Sequence, residues 1–110
     1  MLNIRVAGFE WDEGNWPKCA KHGVGKAQIE AMFSNLPAVY PDPAHSTVEQ
    51  RFLAIGSSDD GRLMLIAFTL RPGGQKVRIR PISARFMHRK EIEHYERQRE
   101  TARTSPAQDR

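Results

Sequence analysis

The sequence predicts an α+β fold in which two N-terminal helices precede a twisted antiparallel sheet of three to four strands and a C-terminal helix. Three strand-like apolar runs lie between Arg51 and Arg85, separated by the turn dipeptides Asp60-Gly61 and Gly73-Gly74. Glycine accepts the positive φ that a tight turn requires. Segments with helical periodicity lie before and after this region. Strands joined by such short turns pair antiparallel, so a meander forms the centre of the predicted fold.

The N-terminal region is predicted to hold a short strand and a first helix. Apolar and polar residues alternate over residues 3–10, as is typical of a strand. A helix is expected from Asn15 to His22, because the Asn15 side chain can accept from the free amides of a first turn. Pro17 would lie in the first turn, where its missing backbone N–H costs no hydrogen bond. Gly23 suits the position that follows the last turn.

A second helix is expected over residues 26–35, with Gly25 as its cap. Its apolar residues recur at i, i+3, i+4 and i+7, so they should face the core; they are Ile29, Met32, Phe33 and Leu36. Pro37 should end this helix, because the residue before a proline is pushed towards extended geometry. The short apolar run at residues 38–40 then predicts an edge strand.

The middle strand, residues 63–70, is apolar on both faces, which predicts a central position with both sides covered. In the last strand Val77 and Ile79 point one way, while Arg78 and Arg80 point the other. Pro81 removes a ladder donor, so this strand should lie at an edge or carry a bulge there.

The C-terminal helix is expected over residues 88–102, with Ile92 and Tyr95 as its large apolar residues on one face. Residues 1–103 are therefore predicted to form a single domain. A disordered tail is predicted over residues 104–110.

Composition narrows the classes of function. The chain has 110 residues and a formal net charge of +4, from 17 basic and 13 acidic residues. This charge suits a polyanionic partner, although many basic proteins have none. Cys19 is the only cysteine, so no internal disulfide can form and a reducing compartment is expected. No signal peptide and no membrane span are predicted, and the expected location is the cytoplasm.

Several short motifs occur in an order that resembles the BrnT family, the ribonuclease toxins of a type II toxin–antitoxin system. The motifs are Phe9-Glu10-Trp11-Asp12-Glu13, Lys21-His22-Gly23-Val24, Pro41-Asp42-Pro43 with His45-Ser46, Glu49 with Arg51 to Gly56, Ile82-Ser83-Ala84-Arg85, and Glu91 with Tyr95-Glu96. The resemblance covers residues 9–96. It departs from the family pattern at Gly14, Pro17, Gly25 and Pro81.

The resemblance implies a RelE-like fold, metal-independent cleavage of RNA, and inhibition of translation and growth. It also implies a cognate BrnA-like antitoxin, with the complex bound to operator DNA. No cofactor is expected. Metal binding is not expected either, since Cys19 and His22 are three residues apart on one helix but no second ligand pair follows.

Metal-independent cleavage of RNA needs a base for the 2′-OH, an acid for the departing oxygen and cations for the charge on phosphorus. The residues predicted to supply these groups are Glu49, Arg51, Arg71, Arg80, Arg85 and His22. Glu49 is the candidate base, and arginine matches phosphate oxygens with its planar donors. His22 and His45 are alternative acid–base groups.

Each of these residues also has a simpler explanation. The arginines can solvate a sheet edge, Glu49 can form an ion pair with Arg51, and His22 can complement a helix dipole. Trp11 and Trp16 could stack on bases but are more simply core and rim residues. The alternative function is a catalytically inactive BrnT-like module that binds nucleic acid or protein, which the departures at Gly14, Pro17 and Pro81 favour.

Overall fold

The computed structural model describes residues 6–45, 48–73 and 76–104. Its strands are β1 (Val6–Phe9), β2 (Ala38–Pro41), β3 (Arg51–Ser57), β4 (Leu63–Gly73) and β5 (Lys76–Phe86). Its α-helices are α1 (Lys26–Ser34) and α2 (Arg89–Thr104), and 3₁₀ helices span Lys18–His22 and Pro43–His45. The α+β class and the C-terminal helix are thereby confirmed.

The sheet is larger than predicted and is mixed rather than antiparallel. Its five strands lie in the order β1-β5-β4-β3-β2. The meander β3-β4-β5 and the edge strand β2 are antiparallel, as expected. β1 pairs with β5 in parallel, and Val6 lies opposite Val77. Such a pairing joins segments some 70 residues apart and leaves no local turn signal, which is why the predicted sheet of three to four antiparallel strands lacked the parallel strand β1.

The first predicted N-terminal helix is not an α-helix. Only Lys18–His22 is helical, and it forms a 3₁₀ helix. Asn15 does not cap it, because its side chain is buried and bonded elsewhere. Gly23 ends it in the left-handed conformation, as expected, with φ of 86°. One short turn is all that fits between Pro17 and Gly23, so the α-helical pattern never becomes established.

α1 follows the prediction closely, but its apolar stripe ends earlier. Gly25 caps it in extended geometry, and Ile29 and Met32 are fully buried. Leu36 was expected in the core but is 87% exposed and has a φ of +53°. The helix has already ended at Ser34, so Leu36 no longer continues the helical period.

β4 is the middle strand of the five, which confirms its predicted central position. Met64, Ile66 and Phe68 point to the face that α1 covers and are buried there. The packing between sheet and helix is close: a Cβ at Gly56 would lie 2.7 Å from Cγ of Met32. The ring of Phe33 on α1 meets that of Phe68 edge-on, with centroids 5.1 Å apart.

β5 carries a bulge at Pro81, and it is an interior strand rather than an edge. Phe68 pairs with Pro81 and Ala67 with Ser83, which leaves Ile82 as the extra residue. The bulge allows a proline inside a sheet. Of the two predicted alternatives for Pro81, an edge strand or a bulge, the bulge is the one observed. The carbonyl of Pro81 accepts a hydrogen bond from Nδ2 of Asn15 at 2.9 Å.

α2 attaches to the rest of the molecule through the two predicted residues. Tyr95 is buried and Ile92 is half-buried. No helix in the described residues is long and apolar enough to span a membrane. The predicted tail over residues 104–110 lies outside the described residues except for Thr104, the last residue of α2.

Asn15→Ala should lower the free energy of unfolding by about 2–3 kcal/mol. The substitution leaves the carbonyls of Glu10 and Pro81 and the amide of Asp12 without their side-chain partner. Urea unfolding measures the change. Asn35→Ala, at the exposed end of α1, is the matched control and should change stability by less than about 0.5 kcal/mol. Equal losses in the two variants would show that Asn15 is not a structural link.

Candidate active site

A cleft of about 190 Å³ lies where β3 begins, beside the second face of the sheet. Arg51 pairs with Thr69 across β3 and β4. Residues of the loop that leads into β3 line the same cleft, and Glu49 lies two residues before Arg51. The residues that line the cleft are His45, Val48, Glu49, Arg51, Thr69 and Ile82. Two of the six predicted site residues, Glu49 and Arg51, thus share one cleft.

Arg71 joins this cleft to a larger group of charges. Its NH1 lies 3.0 Å from Oε2 of Glu49, and its Nε lies 3.6 Å from Oε1 of Glu10. Arg71 follows Thr69 by two residues on β4, so both side chains leave the same face of the strand. Arg71 is therefore the side chain that links the cleft to Glu10.

Glu10 lies at the centre of three arginines. Besides Arg71, it is 3.1 Å from NH1 of Arg80 and 3.5 Å from NH2 of Arg78. Asp12 makes two further bonds to Arg80, at 2.8 and 3.0 Å. Together with Glu49 these side chains form what we call the charge cluster: Glu10, Asp12, Glu49, Arg71, Arg78 and Arg80. It contains as many carboxylates as guanidinium groups.

The pairing of Asp12 with Arg80 shifts both groups. The Arg80 hydrogen bond is the largest cause that lowers the pKa of the Asp12 carboxyl, and the amide of Gly14 adds to it. The same bond raises the pKa of Arg80. Gly14 lies against this pair, since a Cβ there would stand 2.9 Å from NH2 of Arg80. The departure from the family pattern at Gly14 therefore makes room for Arg80.

His45 is held by a carboxylate. Its Nδ1 lies 3.0 and 3.2 Å from the two oxygens of Asp42. Such a contact orients the imidazole ring and leaves Nε2 on the opposite side for a ligand. Asp42 lies three residues before His45 in the sequence, and this spacing is a signal that the two side chains can meet.

Thr69 is buried at the floor of the cleft, only 3% exposed. Among the described residues its Oγ1 has no hydrogen-bond partner, and the same holds for Nε of Arg71. Buried polar atoms without partners are rare, because each costs free energy of desolvation. Two such atoms lie two residues apart on β4, so this part of the sheet has polar groups that a ligand could satisfy. The sequence gives no sign of them, because Thr69 reads there as an ordinary strand residue.

The other two predicted site residues, Arg85 and His22, lie in a different place. They line a recess of about 360 Å³ at the end of β5, together with Arg62, Phe86, Met87 and His88; we call it the β5-end recess. Arg85 is fixed there by Glu91, whose two oxygens accept from NH1 and NH2, each at 2.7 Å. The six predicted residues are thus divided between two sites: four in or next to the cleft, and two in this recess.

The contacts of Glu91 lower the pKa of its carboxyl group. The hydrogen bonds from Arg85 lower the pKa of Glu91 to about 2, and the backbone amide of His88 contributes further. The same pair raises the pKa of Arg85. Arg85 and Glu91 therefore act as a fixed, charged link between the end of β5 and the first turn of α2.

The two tryptophans belong to the packing of the N-terminal region. Their rings meet edge-on with centroids 5.4 Å apart, and both pack against the core. Nε1 of Trp11 donates to Glu30, and the ammonium group of Lys26 lies 5.0 Å from the ring of Trp16. This arrangement supports the simpler interpretation, core and rim, over base stacking.

Cys19 and His22 do not share a ligand face. Cys19 is buried, which raises the pKa of its thiol, whereas His22 is exposed. Within the described ranges, no group of three or more His, Cys, Asp or Glu side chains is placed to hold a metal ion.

The fold and these two sites define a class: a small α+β domain with arginine-rich sites along its central strands, suited to polyanionic ligands. The family described as "Ribonuclease toxin, BrnT, of type II toxin-antitoxin system" matches residues 11–91. The chain belongs to this family, and the resemblance seen in the sequence is confirmed. Comparison with curated proteins gives no match for the chain.

Glu91→Gln should weaken the protein at neutral pH but not in acid. The pKa of Glu91 is lower in the folded protein, about 2, than its ordinary value of 4.5. Its contribution to stability is therefore complete above pH 4.5 and is lost as the pH falls towards 2. Because the pair is partly exposed, the loss at pH 7 should be about 1 kcal/mol. Urea unfolding across this pH range measures it.

Glu93→Gln is the control for this experiment, since Glu93 is more exposed and lies 3.5 Å from Arg89 on the same helix. It should have little effect at any pH. A constant difference between wild type and Glu91→Gln down to pH 2 would contradict the lowered pKa.

Thr69→Val should raise the free energy of unfolding by about 1 kcal/mol, because it removes a buried hydroxyl that has no partner. Thr69→Ser keeps the hydroxyl and loses a buried methyl group, so it should lower stability by about 1 kcal/mol. Urea unfolding of both variants is the measurement. A valine variant less stable than wild type would show that the hydroxyl is bonded in solution.

Proposed function

We propose that the protein cleaves RNA without a metal ion, by attack of a ribose 2′-OH on the adjacent phosphorus, in the cleft at the start of β3. The observation that carries this proposal is that a carboxylate, an imidazole and an arginine line the same cleft: Glu49, His45 and Arg51. These are the base, acid and cation that the reaction requires. The family membership supports the class of reaction.

In the proposed step, Glu49 accepts the proton of the 2′-OH and the 2′ oxygen forms a bond to phosphorus. The bond between phosphorus and the 5′ oxygen of the next nucleotide breaks, and that oxygen takes a proton from the imidazolium of His45. The products are a 2′,3′-cyclic phosphate and a free 5′-hydroxyl group. No water, metal or cofactor takes part in this step.

The arginines of the cleft have two roles. Arg51 lines the cleft and stabilises the charge that develops on the phosphate oxygens. Arg71 orients Glu49 through the 3.0 Å contact. Arg80 is in contact with neither Glu49 nor Arg51. It forms an ion pair with Glu10, and Glu10 in turn contacts Arg71. Arg80 is therefore a positioning residue.

Partners follow from the same proposal. We expect a BrnA-like antitoxin to bind and inhibit the protein, since type II systems pair a protein toxin with a protein antitoxin. We also expect the complex to bind its operator DNA, and the free toxin to inhibit translation and growth in the cytoplasm. The family description supports the antitoxin most directly.

Glu49→Gln and His45→Gln should each lower the rate of RNA cleavage, on the order of 10²-fold or more, because each removes a proton-transfer group. The rate should show a bell-shaped dependence on pH, as it requires one deprotonated and one protonated group. Gel assays with purified protein measure it. Glu93→Gln and His94→Gln, which change exposed side chains of α2, are the matched controls.

Two further arms test the mechanism itself. The deoxy counterpart of the RNA should resist cleavage, because it lacks the nucleophile. Excess EDTA should leave the rate unchanged. Cleavage of the deoxy strand, or loss of activity in EDTA, would rule out the proposed step.

The second candidate function is an inactive module that binds RNA or protein. The observation that favours it is the charge cluster, where three carboxylates already occupy Arg71, Arg78 and Arg80. Wild-type protein that binds RNA but does not cleave it would support this candidate. If the protein does not bind RNA even at low salt, the remaining candidate is a purely structural role as the partner of an acidic protein.

A further inference from the structure

We infer that the β5-end recess is a second RNA-binding subsite, which takes a backbone phosphate next to the one cleaved. This inference rests on the proposed function, because the ligand is a single strand that also occupies the cleft. It concerns residues to which that proposal gives no role in proton transfer. It assigns His22 and Arg62 to substrate binding.

The lining of the recess has the chemistry of a phosphate site. Four of its six residues carry basic side chains, two are apolar, and none is acidic. In the charge cluster every arginine faces a carboxylate, whereas in the recess Arg85 faces Glu91 and Arg62 forms no salt bridge in the part of the chain that the structure describes. Excess positive charge attracts a polyanion only where it is not already neutralised. The recess therefore presents more net positive charge to a phosphate than the charge cluster does.

Arg62 is held in a fixed orientation by packing. Its guanidinium lies over the ring of Phe86, 3.7 Å from the centroid. Within the described residues Arg62 forms no salt bridge. The pKa of Asp60 is lowered chiefly by its hydrogen bond from Ser58, and the charge of Arg62 is a minor further cause. A guanidinium stacked on an aromatic ring keeps its edge available for hydrogen bonds in the plane, which is the geometry that a phosphate requires.

Arg85 has a different role in the same recess. Both oxygens of Glu91 accept hydrogen bonds from the guanidinium of Arg85, and the carbonyl of Phe86 lies 3.4 Å from its NH1. The side chain of Arg85 forms one fixed wall of the recess. His22 and His88 are exposed and lie on the first 3₁₀ helix and just before α2, and Nδ1 of His88 lies 3.5 Å from Oε1 of Glu91. The phosphate contacts are therefore assigned to Arg62 and the two histidines.

The cleft and the recess are close enough for one strand. Ile82 lines the cleft and Arg85 lines the recess, and they are three residues apart on β5. At about 3.3 Å per residue, this spacing along the backbone of β5 is roughly 10 Å. A dinucleotide bound for cleavage can occupy the cleft alone, whereas a longer strand reaches both sites.

The test compares binding of two RNAs that cannot be cleaved because they carry 2′-O-methyl groups: a dinucleotide and a strand of roughly ten nucleotides. Arg62→Gln should weaken binding of the longer strand about fivefold to tenfold and reduce the salt dependence by about one counterion. The dinucleotide should bind to this variant as it binds to wild type. Fluorescence anisotropy across a salt series measures both quantities.

Arg89→Gln is the matched control, because it removes the same charge three residues after Phe86 from a side chain that is 91% exposed and lies outside the recess. It should change binding of the longer strand less than twofold. A double variant, His22→Gln with His88→Gln, should behave like Arg62→Gln. Thermal unfolding of each variant separates weakened binding from unfolding.

Equal effects of Arg62→Gln and Arg89→Gln would overturn the inference, since they would show only a general charge effect. Equal weakening of the dinucleotide and the longer strand would also overturn it. In a cleavage assay, Arg62→Gln should raise KM for long RNA and leave kcat unchanged. Wild-type protein that cannot cleave, but whose binding depends on length and on Arg62, would sink the proposed reaction and leave the recess as a binding site.

Discussion

The amide side chain of Asn15 is the contact on which the arrangement of the charges depends. It accepts from the amide of Asp12 and donates to the carbonyls of Glu10 and Pro81, so it joins the end of β1, the following loop and the bulge of β5. All of its hydrogen-bonding groups are used in a site that is almost fully buried. The positions of Glu10 and Asp12, and through them of Arg80, follow from this one side chain.

The distribution of charge explains how one small domain can offer two kinds of site. Carboxylates balance the arginines near the cleft, and this fixes side-chain positions more than it attracts a ligand. The β5-end recess has no acidic residue in its lining, and Glu91 pairs with Arg85 but not with Arg62, so the recess keeps positive charge for an anion. Positioning and attraction are thus separated along β5, with Arg80 near the middle of the strand and Arg85 near its C-terminal end.

The sequence predicted those parts of the fold that local patterns encode. The turn at Asp60-Gly61, the period of α1 and the left-handed Gly23 at the end of the first 3₁₀ helix each depend on a few neighbouring residues. The parallel pairing of β1 and the buried Asn15 depend on contacts with residues far along the chain.

The same distinction holds for the candidate site. Glu49 and Arg51 are two residues apart, and their spacing was enough to place them together. The acidic partners of Arg71 and Arg80 could not be found in this way, because Glu10 lies just after β1 and is 61 and 70 residues away from them in the sequence. The separation of Arg85 and His22 from the cleft likewise depends on the course of β5 through its bulge.

The outer edge of β2 has a consequence for how the sheet behaves at high concentration. This strand has four residues, ends in Pro41 and is the last in the sheet. An edge so short, with a proline that offers no donor, is a poor template for a second copy of the chain. Growth of intermolecular sheet from this side, a step towards fibrillar aggregates, is therefore disfavoured by the sequence of the strand itself.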